Sequence, residues 1–186
     1  MAHRLDSSGS SFNWANYLSK ASDEWRTTVG WGTIPSWPVG MGGKGNDGLA
    51  ALVARTPNSI GYVEYSYAVQ RKLPYALVRN KAGKYVPPNA ASFRAAAANA
   101  DWAGAKAFSL IVTDAPGDDA YPIAATVFVL AQKARTTPAR QAPMLDFFRW
   151  IFRDGQSIAS ALDFVPLPET LVTSIEEQWK ASVAGR

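Results

Sequence analysis

The stretch Arg4-Leu5-Asp6-Ser7-Ser8-Gly9-Ser10-Ser11-Phe12 sets a guanidinium, a carboxylate, four hydroxyls and a glycine directly ahead of an amphipathic run. A helix start leaves backbone N–H groups without intrahelical partners and carries the positive end of the macrodipole. A tetrahedral anion can therefore be held there by neutral donors. Gly9 lets the main chain approach such a ligand, and the serines supply O–H donors. Arg4 offers a two-pronged charge-assisted contact that suits phosphate better than a lysine would. Asp6 stands two residues on, where it can hold Arg4 in position. The plainer alternative is that one serine caps the helix and the rest is a polar turn.

Outward from that stretch, Trp14, Tyr17, Leu18, Ala21 and Trp25 fall three or four apart, with Asn16, Lys20, Asp23 and Glu24 on the other side. The spacing predicts a helix from Ser10 or Ser11 to near Gly30, followed by a loop punctuated by Pro35 and Pro38. Gly40-Met41-Gly42-Gly43-Lys44-Gly45-Asn46-Asp47-Gly48 invites comparison with a nucleotide P-loop, but Gly45 follows the Gly-Lys pair where Ser or Thr is needed. Asn46 or Asp47 is expected to cap a helix carrying Leu49, Leu52 and Val53, the glycines serving tight turns and close backbone approach.

Ser59 to Tyr65 reads as a short strand and Ala68 to Lys72 as a helical turn. Tyr75 to Arg79 and Lys84 to Val86 read as a hairpin, with an alanine-rich, peripheral helix capped by Asn89 after it. Phe108 to Val112 and Ile123 to Leu130 are strand-prone, and Gln132 to Pro143 reads as a connection. Helices are expected from Pro143 to Gly155, from Gln156 to Leu162 and from Pro168 onward, the last with Leu171, Val172, Ile175, Trp179 and Val183 as its stripe. Strands alternating with helices indicate an α/β chain.

The 186 residues are 47% hydrophobic and 18% charged, which places them with globular chains and apart from disordered or fibrous ones. Nineteen Lys and Arg give a net charge of only +4 and form no basic run, so nucleic acid is not an expected partner. The absence of cysteine excludes disulfides and thiolate metal sites. Met-Ala-His-Arg has neither a charged n-region nor an apolar h-region, so no signal peptide is expected in these residues. The sole histidine, His3, sits beside the start methionine, a poor place for a catalytic base. The Gly117-Asp118-Asp119 turn reads as solvated rather than metal-binding. No enzyme, metal or cofactor is expected. Of the seven tryptophans, Trp14, Trp25, Trp150 and Trp179 lie on apolar helix faces and read as core rather than as sugar-stacking platforms.

Three segments together resemble the phosphate-binding proteins of bacterial phosphate ABC transporters. They are RLDSSGSSF with its helix through NYLSKASDEW, the block WPVGMGGKGNDGLAALVARTPNSIGYVEYSYAVQRKL, and the tail from DAYPIAATVFVLAQK through FFRWIFRDGQ to DFVPLPETLV. The resemblance implies a periplasmic-binding-protein-like (type II) α/β fold, with inorganic phosphate held between two lobes and handed to permease subunits. Carried over position by position, it implies phosphate contacts from Arg4, Ser8, Gly9 and Ser10, with Asp6 in support. Ser10 stands where the family has threonine, which keeps the hydroxyl. No ligand role transfers to the glycine-rich block.

The family pattern is about twice this long, and this chain resembles its C-terminal half. The implied division is a nearly complete second lobe over residues 1–118 and, over 119–186, a return segment whose helices would pack on a first lobe. That first lobe, present in trans or replaced by self-association, carries the other half of the phosphate shell, including the aspartate that distinguishes phosphate from sulfate. The family implies a periplasmic or cell-envelope location. The alternative is a stand-alone fragment with a structural or interaction role and little phosphate binding.

Overall fold

A computed structural model describes residues 1–130 and 138–182. Its first strand, β1, is Ala2–Arg4, which runs parallel to β2, Met41–Gly43, with Ala2 opposite Met41 and Arg4 opposite Gly43. Neither strand is visible in the sequence, because alanine and glycine have weak strand preference and the partners lie far apart in the chain. The pair is covered by helix α3, Gly45–Arg55, which lies against both strands and buries Leu49 and Ala50 together with Ala2. A parallel pair depends on such cover. The approach is close: a Cβ at Gly43 would stand 2.8 Å from the Leu49 Cα, so a side chain there would push α3 off the strands.

On the other side of β1, the Ala2 N–H donates to the Ile60 carbonyl at 2.7 Å. The strand expected from Ser59 to Tyr65 does not form; the chain passes β1 and turns into α4, Tyr65–Gln70. The single helix expected to run to Gly30 is two, α1 at Gly9–Ala21 and α2 at Asp23–Thr28. Ser22 between them is extended (φ −142°, ψ 120°). Its N–H closes α1 on the Leu18 carbonyl, and its hydroxyl oxygen opens α2 by accepting from the Trp25 N–H at 3.2 Å.

The polar side of α1 is covered as well. Asn16 is buried and accepts from the Thr113 hydroxyl, while Lys20 Nζ donates to the Thr113 carbonyl at 2.6 Å. These polar side chains, opposite the apolar stripe, are satisfied by a segment far along the chain.

The hairpin forms as β3, Val78–Arg79, antiparallel to β4, Tyr85–Val86. Helix α5, Ala90–Ala98, carries the expected Asn89 cap, completed as a capping box by Ser92. It is not peripheral: Ala96 packs with Val112, Ala115 and Ala120 in a core of small side chains. The strand expected at Phe108 to Val112 does not form; a short 3-10 turn, Lys106–Phe108, ends at its first residue, with Ala107 and Phe108 both at positive φ, and residues 109–112 are irregular.

Ile123 to Leu130 has strand composition but no strand, and Val127 and Leu130 are 81% and 96% exposed. Ladder bonds come from a neighbour, and no neighbour strand lies beside it among the described residues. The first half of the Gln132 to Pro143 connection and Val183 lie outside the described residues. Helix α6, Pro138–Arg153, begins ahead of Pro143 and encloses it. Helix α7 is Gln156–Ala161 and α8 is Glu169–Ser182. Trp179 of α8 stacks on Phe152 of α6 at 5.8 Å and meets Phe148 edge-on. No helix among the described residues is long and apolar enough to cross a membrane.

Candidate anion site

Arg4 leaves the end of β1 with its side chain only 10% exposed. Its Nε donates to Asp6 Oδ1 at 2.9 Å, Nη2 bonds and ion-pairs with Asp6 Oδ2, and Nη1 donates to Asn46 Oδ1 at 2.9 Å. Three of the five guanidinium N–H groups are thereby fixed in one plane, which leaves two to offer elsewhere. Asp6 Oδ1 also accepts the Gly45 N–H at 2.9 Å, placing a carboxylate on the first donor of α3. These bonds, the Arg4 side chain first and the Gly45 backbone second, hold the Asp6 carboxyl well below the usual carboxylate range. The same pairing pushes the Arg4 guanidinium upward, so both stay charged.

Ser8 is the N-cap of α1. Its hydroxyl oxygen accepts from the Ser11 N–H at 3.2 Å, the side chain is buried, and its own N–H donates to the Thr33 carbonyl at 3.0 Å. For Ser8, then, the plainer capping reading holds, with its hydroxyl proton still to be placed. Gly9 and Ser10 are the first two helical residues, and among the described residues their N–H groups meet no acceptor and the Ser10 hydroxyl no partner. Nothing stands within 4 Å of where a Gly9 Cβ would be, so this chain's own packing does not require glycine there.

The loop of Gly40 to Gly48 is structural in these contacts: β2, the close approach at Gly43, and a helix start occupied by Asp6. Asn46 and Asp47 do not cap α3, whose N-cap is Lys44 with no side-chain bond; Asn46 instead braces Arg4. Tyr62 is the other residue the sequence did not point to. Its hydroxyl accepts from the Arg4 backbone N–H at 3.0 Å and lies 2.7 Å from Ser11 Oγ. Partners 42 and 58 residues away in sequence leave no local signature. His3 stacks on Trp37, with Nδ1 3.2 Å from the Arg4 carbonyl oxygen, and among the described residues no group of three or more acidic or imidazole side chains is placed to hold a metal ion. A cavity of about 480 Å³ lies between the α5–3-10 region and α8, lined by Trp102, Phe108 and Leu171 among others; it shares no residue with this site.

A family model described as the PBP superfamily domain matches residues 1–154, and the chain belongs to that superfamily, with an α/β fold that forms part of a lobe. Among curated proteins it is 51% identical over 179 residues to phosphate-binding protein PstS of Xylella fastidiosa, covering 96% of this chain and 49% of that relative. It is 49% identical over 183 residues to PstS of Pasteurella multocida, covering 98% and 53%. Against PstS of Methanocaldococcus jannaschii it is 36% identical over 185 residues, covering 91% and 48%. The resemblance read from the sequence is borne out. The chain spans about half the length of these relatives.

Proposed function

We propose that this chain is part of the substrate-binding component of a phosphate ABC transporter. In this reading it takes inorganic phosphate through Arg4, Ser8, Gly9 and Ser10, with Asp6 in support, for delivery to permease subunits at the cell envelope or in the periplasm. The observation that carries the reading is the start of α1. Two unpartnered N–H groups and a free hydroxyl stand a few residues from an arginine already braced by Asp6 and Asn46. A glycine that its own packing does not require suits close approach by a ligand. Relatives named for phosphate binding favour phosphate as that anion. Such a protein holds and releases its ligand, so it is no enzyme and needs no cofactor or metal.

The division follows: residues 1–118 form the anion-holding lobe, and 119–186 return toward a first lobe. The exposed apolar run Val127 to Leu130 favours a protein partner there as well, either a first lobe in trans or a second copy of the chain. The deciding experiment is calorimetric titration with phosphate. Arg4→Ala is expected to cost roughly 2 kcal/mol, about a thirtyfold loss of affinity, by removing the charge-assisted donor. Equal affinity in wild type and variant would move the site elsewhere.

A further inference from the structure

The two parts of the proposed seat come from different elements: the guanidinium from the end of β1, and the N–H groups and Ser10 hydroxyl from the first turn of α1. One atom joins them. The Tyr62 hydroxyl oxygen accepts from the Arg4 backbone N–H at 3.0 Å and shares a hydrogen bond with Ser11 Oγ at 2.7 Å. Ser11 is itself 1% exposed and belongs to that first turn, where its N–H is the one bound by the Ser8 cap. A phenol oxygen has one proton and two lone pairs, so both bonds form together.

The ring that carries this oxygen is clamped. Trp14 of α1 stacks on Tyr62 with centroids 6.1 Å apart and planes 19° apart, and Trp37 lies against it at 5.6 Å. Trp37 in turn touches His3, next to Arg4, at 5.5 Å and Trp25 of α2 at 5.7 Å. The ring is held by two separate neighbours, so weakening the Trp14 stack alone leaves Trp37 to keep the oxygen between its partners. Burial pushes the Tyr62 phenol upward from its ordinary range, and the group stays a neutral hydroxyl wherever phosphate is ionised.

We propose that Tyr62 is a positioning residue for anion binding: its hydroxyl sets the distance between the Arg4 end of β1 and the first turn of α1, and so the width of the seat. The proposal rests on the phosphate reading above, and its test separates the two. The experiment titrates the full 186-residue chain with inorganic phosphate, followed by calorimetry and by backbone amide NMR at Gly9 and Ser10. Tyr62→Phe, which keeps the ring and deletes one oxygen, is expected to weaken phosphate binding about tenfold, because two buried groups lose their common partner. It should also shrink the phosphate-induced shifts at Gly9 and Ser10.

Trp14→Phe disturbs the same stack without touching the hydroxyl; it should lower thermal stability yet leave affinity within about twofold. Should Tyr62→Phe not fold, Ser11→Ala removes the other end of the bond and carries the same expectation. Unchanged affinity in Tyr62→Phe, or in Ser11→Ala, beside a clear loss in Arg4→Ala overturns the positioning role alone. A Trp14→Phe loss as large as that of Tyr62→Phe overturns it too, since stacking would then account for the effect. No phosphate binding by the wild type up to about 100 mM, or no loss in Arg4→Ala, overturns the phosphate reading and this proposal with it.

Discussion

The first 130 residues and the helices α6 to α8 are held by different kinds of contact. In the first region, polar side chains reach far along the chain: Arg4 to Asn46, Tyr17 to the Arg79 carbonyl, Lys20 to Thr113, and Asn80 to the carbonyls of Gly117, Asp118 and Ala120. Each satisfies a buried group and fixes one register, because a shifted register would strand the donor. In α6 to α8 the side-chain contacts that fix Trp179 run to Phe148 and Phe152, and Arg153 pairs with Glu176. Phe147, Trp150, Ile158 and Leu162 remain exposed. Apolar faces attract without choosing a geometry. The contrast teaches that the first region is specified by its polar pins, whereas the terminal helices keep apolar faces that the described residues leave uncovered.

Hydrogen exchange breaks or sustains this comparison most directly. Amides of α1 and α3 should exchange on the order of a hundredfold or more slowly than those of α6 to α8. Uniformly strong protection in a demonstrated monomer would mean that the terminal helices have found their surface within this chain. The next largest effect is expected at Asn80. It is buried, its Nδ2 donates to three carbonyls, and its Oδ1 accepts the Lys84 N–H at 2.9 Å. Asn80→Ala should cost about 2–3 kcal/mol in denaturant unfolding; a loss below about 0.5 kcal/mol would show that such pins do not distinguish this region.

Asp6 sharpens the comparison through pH. Its carboxyl is held lower in the folded than in the unfolded chain, so its contribution to stability is complete above the ordinary carboxylate range and disappears as pH falls through that range and below it. Asp6→Asn should therefore be less stable than wild type at neutral pH, with the gap closing in acid. A gap independent of pH would assign the effect to shape instead of charge. The smallest effect is Ser10→Thr, which adds a methyl at a partly exposed helix start and keeps the hydroxyl. Phosphate affinity should stay within about twofold, and a larger loss would mean that the seat is narrower than the space around Gly9 suggests.

The sequence carried the helices well and the strands poorly, for a physical reason. The helices at Gly9, Gly45, Ala90 and Glu169 announce themselves through local spacing, and Asn89 as a cap acts within one turn. Strands depend on a neighbour. β1 and β2 are short and poor in strand formers yet pair under α3, whereas the β-rich run from Ile123 to Leu130 stays unpaired. The Arg4–Asp6 pairing and the capped start of α1 were readable because they lie within nine residues of chain. Asn46 and Tyr62 were hidden because one looked like a cap and the other like part of a strand. The break at Ser22 was missed because the apolar spacing runs straight through it.

That break bears on how the chain tolerates insertions and deletions. Connections between helices are ordinarily where extra residues are absorbed, but here one serine ends α1 with its backbone and begins α2 with its side chain, leaving no slack between them. An extra residue in the first turn of α2 would rotate Trp25 by about 100° around the helix axis. It would leave Trp37, which leans on Tyr62, which holds Arg4. A change of length outside the anion stretch would thus be felt within it, and the junction at Ser22 should admit substitutions that keep a capping oxygen while refusing any change in spacing.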